Sequence, residues 1–105
     1  MDTLTESEVA VREVLENVID PEVGINIVDL GLVYDIDVQD DDVRVTMTLT
    51  TPGCPLHESI TEAVDTSVRY FIPYVETVTV DLVWEPRWTP AMITEAGQKA
   101  LGWRP

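Results

Sequence analysis

The sequence is poor in cysteine, histidine and basic residues, and each shortage removes a class of function. One cysteine among 105 residues excludes an internal disulfide framework, and a zinc or iron-sulfur site with four thiolates would need ligands from outside the chain. Six basic residues stand against twenty acidic ones, and the formal charge of -14 repels nucleic acid and anionic membranes. We interpret this acidity as a solubility feature suited to a high-salt cytoplasm, with an acidic docking surface as the alternative.

Long hydrophobic runs are also lacking. No stretch approaches the roughly twenty apolar residues that a membrane helix needs, and no basic segment followed by an apolar core opens the chain. A single cysteine is typical of a reducing compartment. We therefore expect a cytoplasmic protein with no membrane and no nucleic-acid partner.

What the chain does contain is a regular hydrophobic pattern. Its length and its hydrophobic fraction of 45% predict one domain over residues 1–105, in the order helix, strand, strand, helix, strand, helix. Two alternating strands, 32–38 and 43–50, are joined by the polar turn 39–42 and predict an antiparallel hairpin. A right-handed crossover makes the third strand, 75–84, parallel to the second. The fold class is α/β (α+β), a small three-stranded mixed sheet with helices packed on it.

The helix boundaries follow from capping residues and prolines. A capping box at Thr5–Glu8 starts the first helix, and Asp20-Pro21 ends it. The second helix starts at Pro55 and stops before Pro73, and a short last helix runs from Pro90 to Gly102. The side chains predicted to face the core include Val11, Val14, Leu15, Val18, Leu32, Tyr34, Ile36, Val38, Val43, Val45, Met47, Leu49, Ile60, Val64, Ser67, Val68, Phe71, Val78, Val80, Leu82 and Trp84.

The strongest chemical signal lies where the second strand runs into the second helix. Thr-Thr-Pro-Gly ends the strand, and Cys54 follows immediately before Pro55, which places the thiol at a helix N-terminus. The positive end of the helix dipole favours a thiolate there. The alternative is a small buried cysteine. His57, the only histidine, lies one helical turn further and is either a partner of the thiol or a half-exposed residue near the helix start.

Further polar residues are candidates for the surroundings of this thiol. Thr50 and Thr51 either donate hydroxyls toward the sulfur or satisfy backbone groups at the strand end. Asp20, Glu22 and Asp29 bring carboxylates near it if the loop 21–31 folds over the strand ends. Asp20 is otherwise a helix-ending residue, and the other two are otherwise solvated loop charges.

Three tryptophans cluster late in the chain. Trp84 is expected in the core at the end of the third strand. Trp88, between Pro86 and Pro90, is a candidate for a pocket rim or a subunit interface, and Trp84 is kept as a second candidate for that role.

Four motifs in this order resemble the metal-sulfur cluster assembly family, which includes the bacterial SufT and PaaD-like proteins and the eukaryotic factor that targets cytosolic iron-sulfur proteins. The motifs are Asp20-Pro21-Glu22-Val23-Gly24, Ile27-Val28-Asp29-Leu30-Gly31-Leu32-Val33-Tyr34, Thr50-Thr51-Pro52-Gly53-Cys54-Pro55, and Trp84-Glu85-Pro86 with Trp88. Arg87 departs from the pattern, because many relatives carry a second proline there. The absence of a cysteine-rich tail favours the SufT-like branch.

The resemblance implies an auxiliary factor in iron-sulfur cluster maturation that is not an enzyme. Cys54 would be the key position and the metal ligand, and Asp20 and Thr51 would line its site. The partners would be the assembly machinery and client apoproteins, and the cofactor at most a transient iron-sulfur cluster. One cysteine per chain requires that a cluster be shared, for example across a homodimer, or completed by an external thiol.

Two other functions remain open from the residues alone. One is a thiol enzyme with Cys54 as nucleophile, His57 as base and Asp20 or Asp29 orienting the base. The other is a non-catalytic adaptor in a multiprotein assembly, including monooxygenase maturation, that binds partners through its late tryptophan region.

Overall fold

A three-stranded sheet with helices on one face organises the chain. The computed structural model describes residues 6–20, 23–49 and 57–102, with the backbone alone for residues 57 and 58. The regular elements of this part are, in chain order, α1 (Glu6–Leu15), β1 (Val33–Gln39), β2 (Asp42–Met47), α2 (His57–Phe71), β3 (Thr77–Leu82), a 3-10 turn (Pro90–Met92) and α3 (Glu95–Ala100). The predicted α+β class, with three helices and a three-stranded mixed sheet, is confirmed.

The sheet has the order β1-β2-β3. β1 and β2 are antiparallel, and β2 and β3 are parallel, as the hairpin and crossover predicted. The hairpin turn is tight, because Gln39 pairs with Asp42 and only two residues lie between them. Asp40 has a φ of 57°, a left-handed conformation that aspartate tolerates better than most residues.

The core lies between the sheet and the helices. α1 contributes the predicted face at helical spacing, and β2 contributes every second residue. The fully or almost fully buried side chains are Val11, Leu15, Ile27, Leu30, Leu32, Val43, Val45, Met47, Val64 and Val68. The loop before β1 therefore supplies as much of the core as a regular element does.

Several boundaries differ from the sequence-based expectation. α1 ends at Leu15, because the amides of Asn17 and Val18 bond to carbonyls only three residues back and tighten the chain into a turn. Asp20 therefore does not end the helix. It follows an isolated bridge between Ile19 and Asn26. The capping residue Thr5 lies outside the described residues.

Expectations about three side chains of the sheet and α2 were wrong. Tyr34 leaves the core face because the β1–β2 register shifts between Val33 and Asp35, so that Val33 packs on the core instead. Thr48, which alternates with the core residues Met47 and Leu49, is nevertheless 1% exposed, and its amide donates to the Leu32 carbonyl at 2.9 Å. Phe71 is 55% exposed in the last turn of α2, where it packs edge-on against Tyr70.

The late part of the chain is less regular than predicted. β3 ends at Leu82, and Trp84, which follows it, is 39% exposed and is not a core residue. The predicted last helix is divided into the 3-10 turn and α3, because Ile93 is extended and Thr94 starts a new helix as its N-cap.

Candidate functional site

The sheet has one end at which the loop before β1, the exit of β2 and the exit of β3 meet. Val33, Met47 and Leu82 form one row across the three strands. Two bonds extend this row by a residue, since the Thr48 amide donates to the Leu32 carbonyl at 2.9 Å and the Val83 amide donates to the Met47 carbonyl at 2.8 Å. We call this the loop end of the sheet. It is the carboxyl end of the parallel pair, where ligand sites of open α/β sheets gather.

Most of the residues predicted for the thiol site belong to parts of the chain that the structure does not describe. Thr50, Thr51, Cys54 and Glu22 lie outside the described residues, and His57 is described only as the first backbone position of α2. Their assignment to a site, including Cys54 as a metal ligand, therefore stays a prediction. Asp20 and Asp29 have described side chains.

Asp20 is buried at the start of the loop before β1. Its side chain is 3% exposed, and Oδ1 accepts a hydrogen bond from the Val23 amide at 3.2 Å. Its backbone carbonyl accepts from Gly24 at 2.7 Å, and its amide donates to Ile25 at 3.0 Å. A buried carboxylate is tolerated when N–H groups point at it, so Asp20 fixes the turn that starts this loop.

Asp29 connects the same loop to α3. Its Oδ2 accepts from Asn26 Nδ2 at 2.8 Å, and its amide donates to Asn26 Oδ1 at 2.8 Å. Its Oδ1 accepts from the Thr94 hydroxyl at 3.0 Å, and its carbonyl accepts from the Thr94 amide at 2.8 Å. The interpretation as a solvated loop charge does not fit this geometry, because each carboxylate oxygen has a partner within the chain.

The late segment packs along this loop through two further contacts. Trp88 Nε1 donates to the Leu30 carbonyl at 2.7 Å, and the Tyr34 hydroxyl donates to the Pro86 carbonyl at 2.7 Å. Burial raises the pKa of the Tyr34 hydroxyl above its ordinary value, and the charge of Glu85 raises it further. Trp88 thus packs against the core by way of the loop.

An apolar groove of about 590 Å³ opens beside the loop end. It is lined by Gly31, Val33, Tyr34, Pro86 and Met92. It therefore joins the loop, the start of β1 and the late segment on one surface. The role of Trp84 and Trp88 at an interface or pocket rim stays a prediction.

Sequence reasoning missed two residues of this region. Thr94 precedes Glu95, a Thr-Glu pair that is typical of a helix start, so the N-cap had a local signal. Tyr34 had none, because its partner Pro86 is 52 positions away in the sequence. Alternation alone assigned Tyr34 to the core face.

Two kinds of feature are absent from the part of the chain that the structure describes. In residues 6–20, 23–49 and 57–102, no group of three or more histidine, cysteine or acidic side chains is placed to hold a metal ion. None of the helices in this part is long and apolar enough to cross a membrane.

Comparison with known proteins gives a consistent result. Residues 8–81 match the family model described as iron-sulfur cluster assembly protein. The chain is 48% identical over 86 residues to the Fe-S protein maturation auxiliary factor SufT of Staphylococcus aureus, which covers 81% of this chain and 97% of that protein. It is 44% identical over 89 residues to the Fe-S protein maturation auxiliary factor YitW of Bacillus subtilis, with 84% and 86% covered.

A solved structure supports the same assignment. The crystal structure of a domain of unknown function, DUF59, from Bacillus anthracis superposes with a TM-score of 0.89 at 37% identity, covering 93% of each chain. The sequence match, the fold match and the near-complete coverage agree. The chain belongs to the iron-sulfur cluster assembly protein family.

Proposed function

We propose that this chain is a non-catalytic auxiliary factor that carries or delivers iron-sulfur clusters to client apoproteins through Cys54. The observation that carries the proposal is the position of the only cysteine in the sequence. Cys54 lies in the connection 50–56, between Leu49, which follows β2 at the loop end, and His57, the first residue of α2. Cys54 is three residues from His57, so the two Cα atoms are within about 11 Å of each other.

A single cysteine per chain fits a cluster that is passed on better than a cluster that is permanently bound. An iron-sulfur cluster is held by four ligands, and this chain supplies one cysteine. The remaining ligands come from a second copy, an external thiol or the client itself. Such incomplete ligation favours release of the cluster to an apoprotein with a full ligand set.

The relatives support the setting of this activity. Two of them are named maturation auxiliary factors, which favours a non-catalytic role and partners among the assembly machinery and client apoproteins. We expect the chain to act as one domain in the cytoplasm, because a lone thiol requires a reducing compartment to stay available.

The test is anaerobic reconstitution with iron and sulfide, followed by transfer to an apo-ferredoxin. Wild-type protein should gain visible absorption and bound iron and should activate the ferredoxin. Cys54→Ser should keep the circular dichroism spectrum of the wild type. It should lose at least nine-tenths of the visible absorption, the bound iron and the ferredoxin activation. Equal iron binding and transfer by Cys54→Ser would contradict a mechanism centred on this cysteine.

An adaptor function is the second candidate, and the groove beside the loop end favours it. This groove is apolar, and Trp84, in the adjoining segment after β3, is 39% exposed. Exposed tryptophan next to an apolar groove is typical of a protein contact. Under this function Trp84→Ala would lose the bound client while Cys54→Ser would keep it, in a pull-down with one purified client apoprotein.

A further inference from the structure

We propose that Asp29 is a positioning residue, which holds the loop end of the sheet in place by joining the Asn26–Gly31 turn to α3. This inference deepens the proposed function and rests on it for the role of Cys54. It also assigns a role to the late segment 84–101, which contacts this turn through Trp88 and Thr94.

The Asn26–Gly31 turn is held by its own hydrogen bonds. Asn26 and Asp29 form a reciprocal pair, in which the amide side chain both donates to the carboxylate and accepts from the Asp29 backbone, at 2.8 Å each. The Leu30 amide donates to the Asn26 carbonyl at 3.0 Å, and the Gly31 amide donates to the Val28 carbonyl at 3.0 Å. The turn is thereby closed on itself before it meets any other element.

Thr94 links this turn to α3. The Thr94 hydroxyl donates to Asp29 Oδ1 at 3.0 Å and accepts from the Gly97 amide at 3.1 Å. One hydroxyl thus serves as the N-cap of α3 and as the donor to the loop. A Cβ added to Gly97 would lie 2.9 Å from the Asp29 carbonyl oxygen, so the helix packs directly on the turn.

Two further hydrogen bonds connect the loop before β1 to Trp88 and to the exit of β2. Leu30 accepts from Trp88 at 2.7 Å, and Leu32 accepts from the Thr48 amide at 2.9 Å. Thr48 is 1% exposed and precedes the connection that contains Cys54. A displacement of the turn therefore reaches Thr48, two residues before this connection starts.

The same contacts argue against Asp29 as a ligand of the cargo. Oδ1 accepts from Thr94 and Oδ2 accepts from Asn26, so both oxygens already hold the turn and a metal would compete with these donors. The carboxylate is needed for its two acceptor atoms in this geometry. Its charge is not.

An exchange of side chains separates geometry from charge. In Asn26→Asp a carboxylate at position 26 faces the carboxylate of Asp29, so the bond between the two side chains is lost and the two negative charges repel each other. The double variant Asn26→Asp with Asp29→Asn restores the pair in reverse, because the carboxylate at position 26 accepts from the amide group at position 29. All three bonds are kept while the charge moves.

The measurement is the rate at which iodoacetamide alkylates Cys54 in the folded protein. The chain has one cysteine, so the rate reports one site and needs no cluster. We expect Asn26→Asp to change the rate at least threefold and the double variant to return it to within about 1.5-fold of the wild type. Thr94→Val should act like Asn26→Asp, and Thr94→Ser, which keeps the hydroxyl, should behave as the wild type. Circular dichroism on each sample confirms that the variants compared are folded.

Three outcomes overturn the proposal. They are an unchanged rate in folded Asn26→Asp, a double variant that stays like Asn26→Asp, and a double variant that regains the wild-type rate but does not transfer a cluster to apo-ferredoxin. The last would mean that the cargo uses the charge at position 29 directly. If instead the wild type binds and transfers no cluster, the proposed function fails while the alkylation series still tests the positioning role.

Discussion

Acidic side chains have opposite surroundings at the two ends of the sheet. At the loop end, Asp20 and Asp29 accept hydrogen bonds from backbone amides, an asparagine and a threonine. At the other end, which we call the hairpin end, the acidic groups face each other. The Glu76 amide donates to the Asp41 carbonyl at 2.8 Å and so brings its carboxyl close to that of Asp41. A hydrogen bond to the Asp41 side chain and the charges of Asp41 and Asp42 raise the pKa of Glu76.

This difference shows that the number of acidic residues does not locate function in this chain. Acids at the hairpin end repel one another in water, where charge is screened and each group can be replaced. Acidic side chains at the loop end stabilise the fold, because a hydrogen bond lost at a poorly solvated carboxylate is not readily replaced by water. The comparison predicts that the loop end resists substitution and that the hairpin end can be improved.

The largest effect should come from Gly31→Ala at the loop end. Gly31 has a φ of 79°, and an added Cβ would overlap the Met92 carbonyl oxygen and lie 2.8 Å from its carbon. A left-handed alanine costs about 1–2 kcal/mol, and overpacking typically costs about 1–3 kcal/mol. We expect a loss of about 3 kcal/mol, measured by urea denaturation.

The matched control for this substitution is Gly24→Ala. Gly24 has a φ of 81°, but no atom lies within 4 Å of an added Cβ, so this variant keeps the backbone cost and omits the overlap. It should lose about 1 kcal/mol. Equal losses in the two variants would show that contact with the late segment contributes nothing at the loop end.

A smaller effect of the opposite sign is expected at the hairpin turn. Asp40 has a φ of 57°, and glycine adopts this conformation without a steric cost. The gain is reduced by the greater freedom of glycine in the unfolded chain, so Asp40→Gly should raise the free energy of unfolding by about 0.5 kcal/mol. Asp40→Asn removes the charge and leaves the side-chain shape unchanged. If Asn stabilises as much as Gly, repulsion rather than backbone conformation is what limits this turn.

The smallest effect concerns Glu76 and depends on pH. A carboxyl group with a raised pKa in the folded protein binds its proton more tightly there than in the unfolded chain, and the stability that this adds is lost as the pH rises from 4.5 through the raised value. Glu76→Gln keeps a donor toward Asp41 at every pH. Its urea midpoint should exceed that of the wild type at pH 7, and the difference should shrink below pH 4.5.

The control for Glu76→Gln is Glu16→Gln, which removes one negative charge from an exposed position on the helical side of the molecule. Its difference from the wild type should be smaller at pH 7 and should depend less on pH. An identical pH profile for the two variants would attribute the effect to net charge alone and not to the contact with Asp41.

Local pattern was sufficient for the elements that bury one face. The alternation of Val43, Val45 and Met47 and the helical spacing of Val11, Val14 and Leu15 predicted which side of each element would pack. It failed where the strand register shifts, as for Tyr34, in the last turn of a helix, as for Phe71, and where a strand ends early, as for Trp84. The exposure of these side chains depends on the local backbone geometry, which the pattern of neighbouring residues does not show.

The sequence by itself determined the order of elements, the hairpin and crossover, the core faces and the family, because hydrophobic period, turn residues and ordered motifs are all local to the chain. It also identified Asp20 and Asp29 as residues of interest. Only the tertiary structure decided what Asp29 contacts, since its partner Thr94 lies 65 positions away. Hydrogen bonds between distant segments depend on how the packed elements bring them together, and this placed the late segment against the loop end of the sheet.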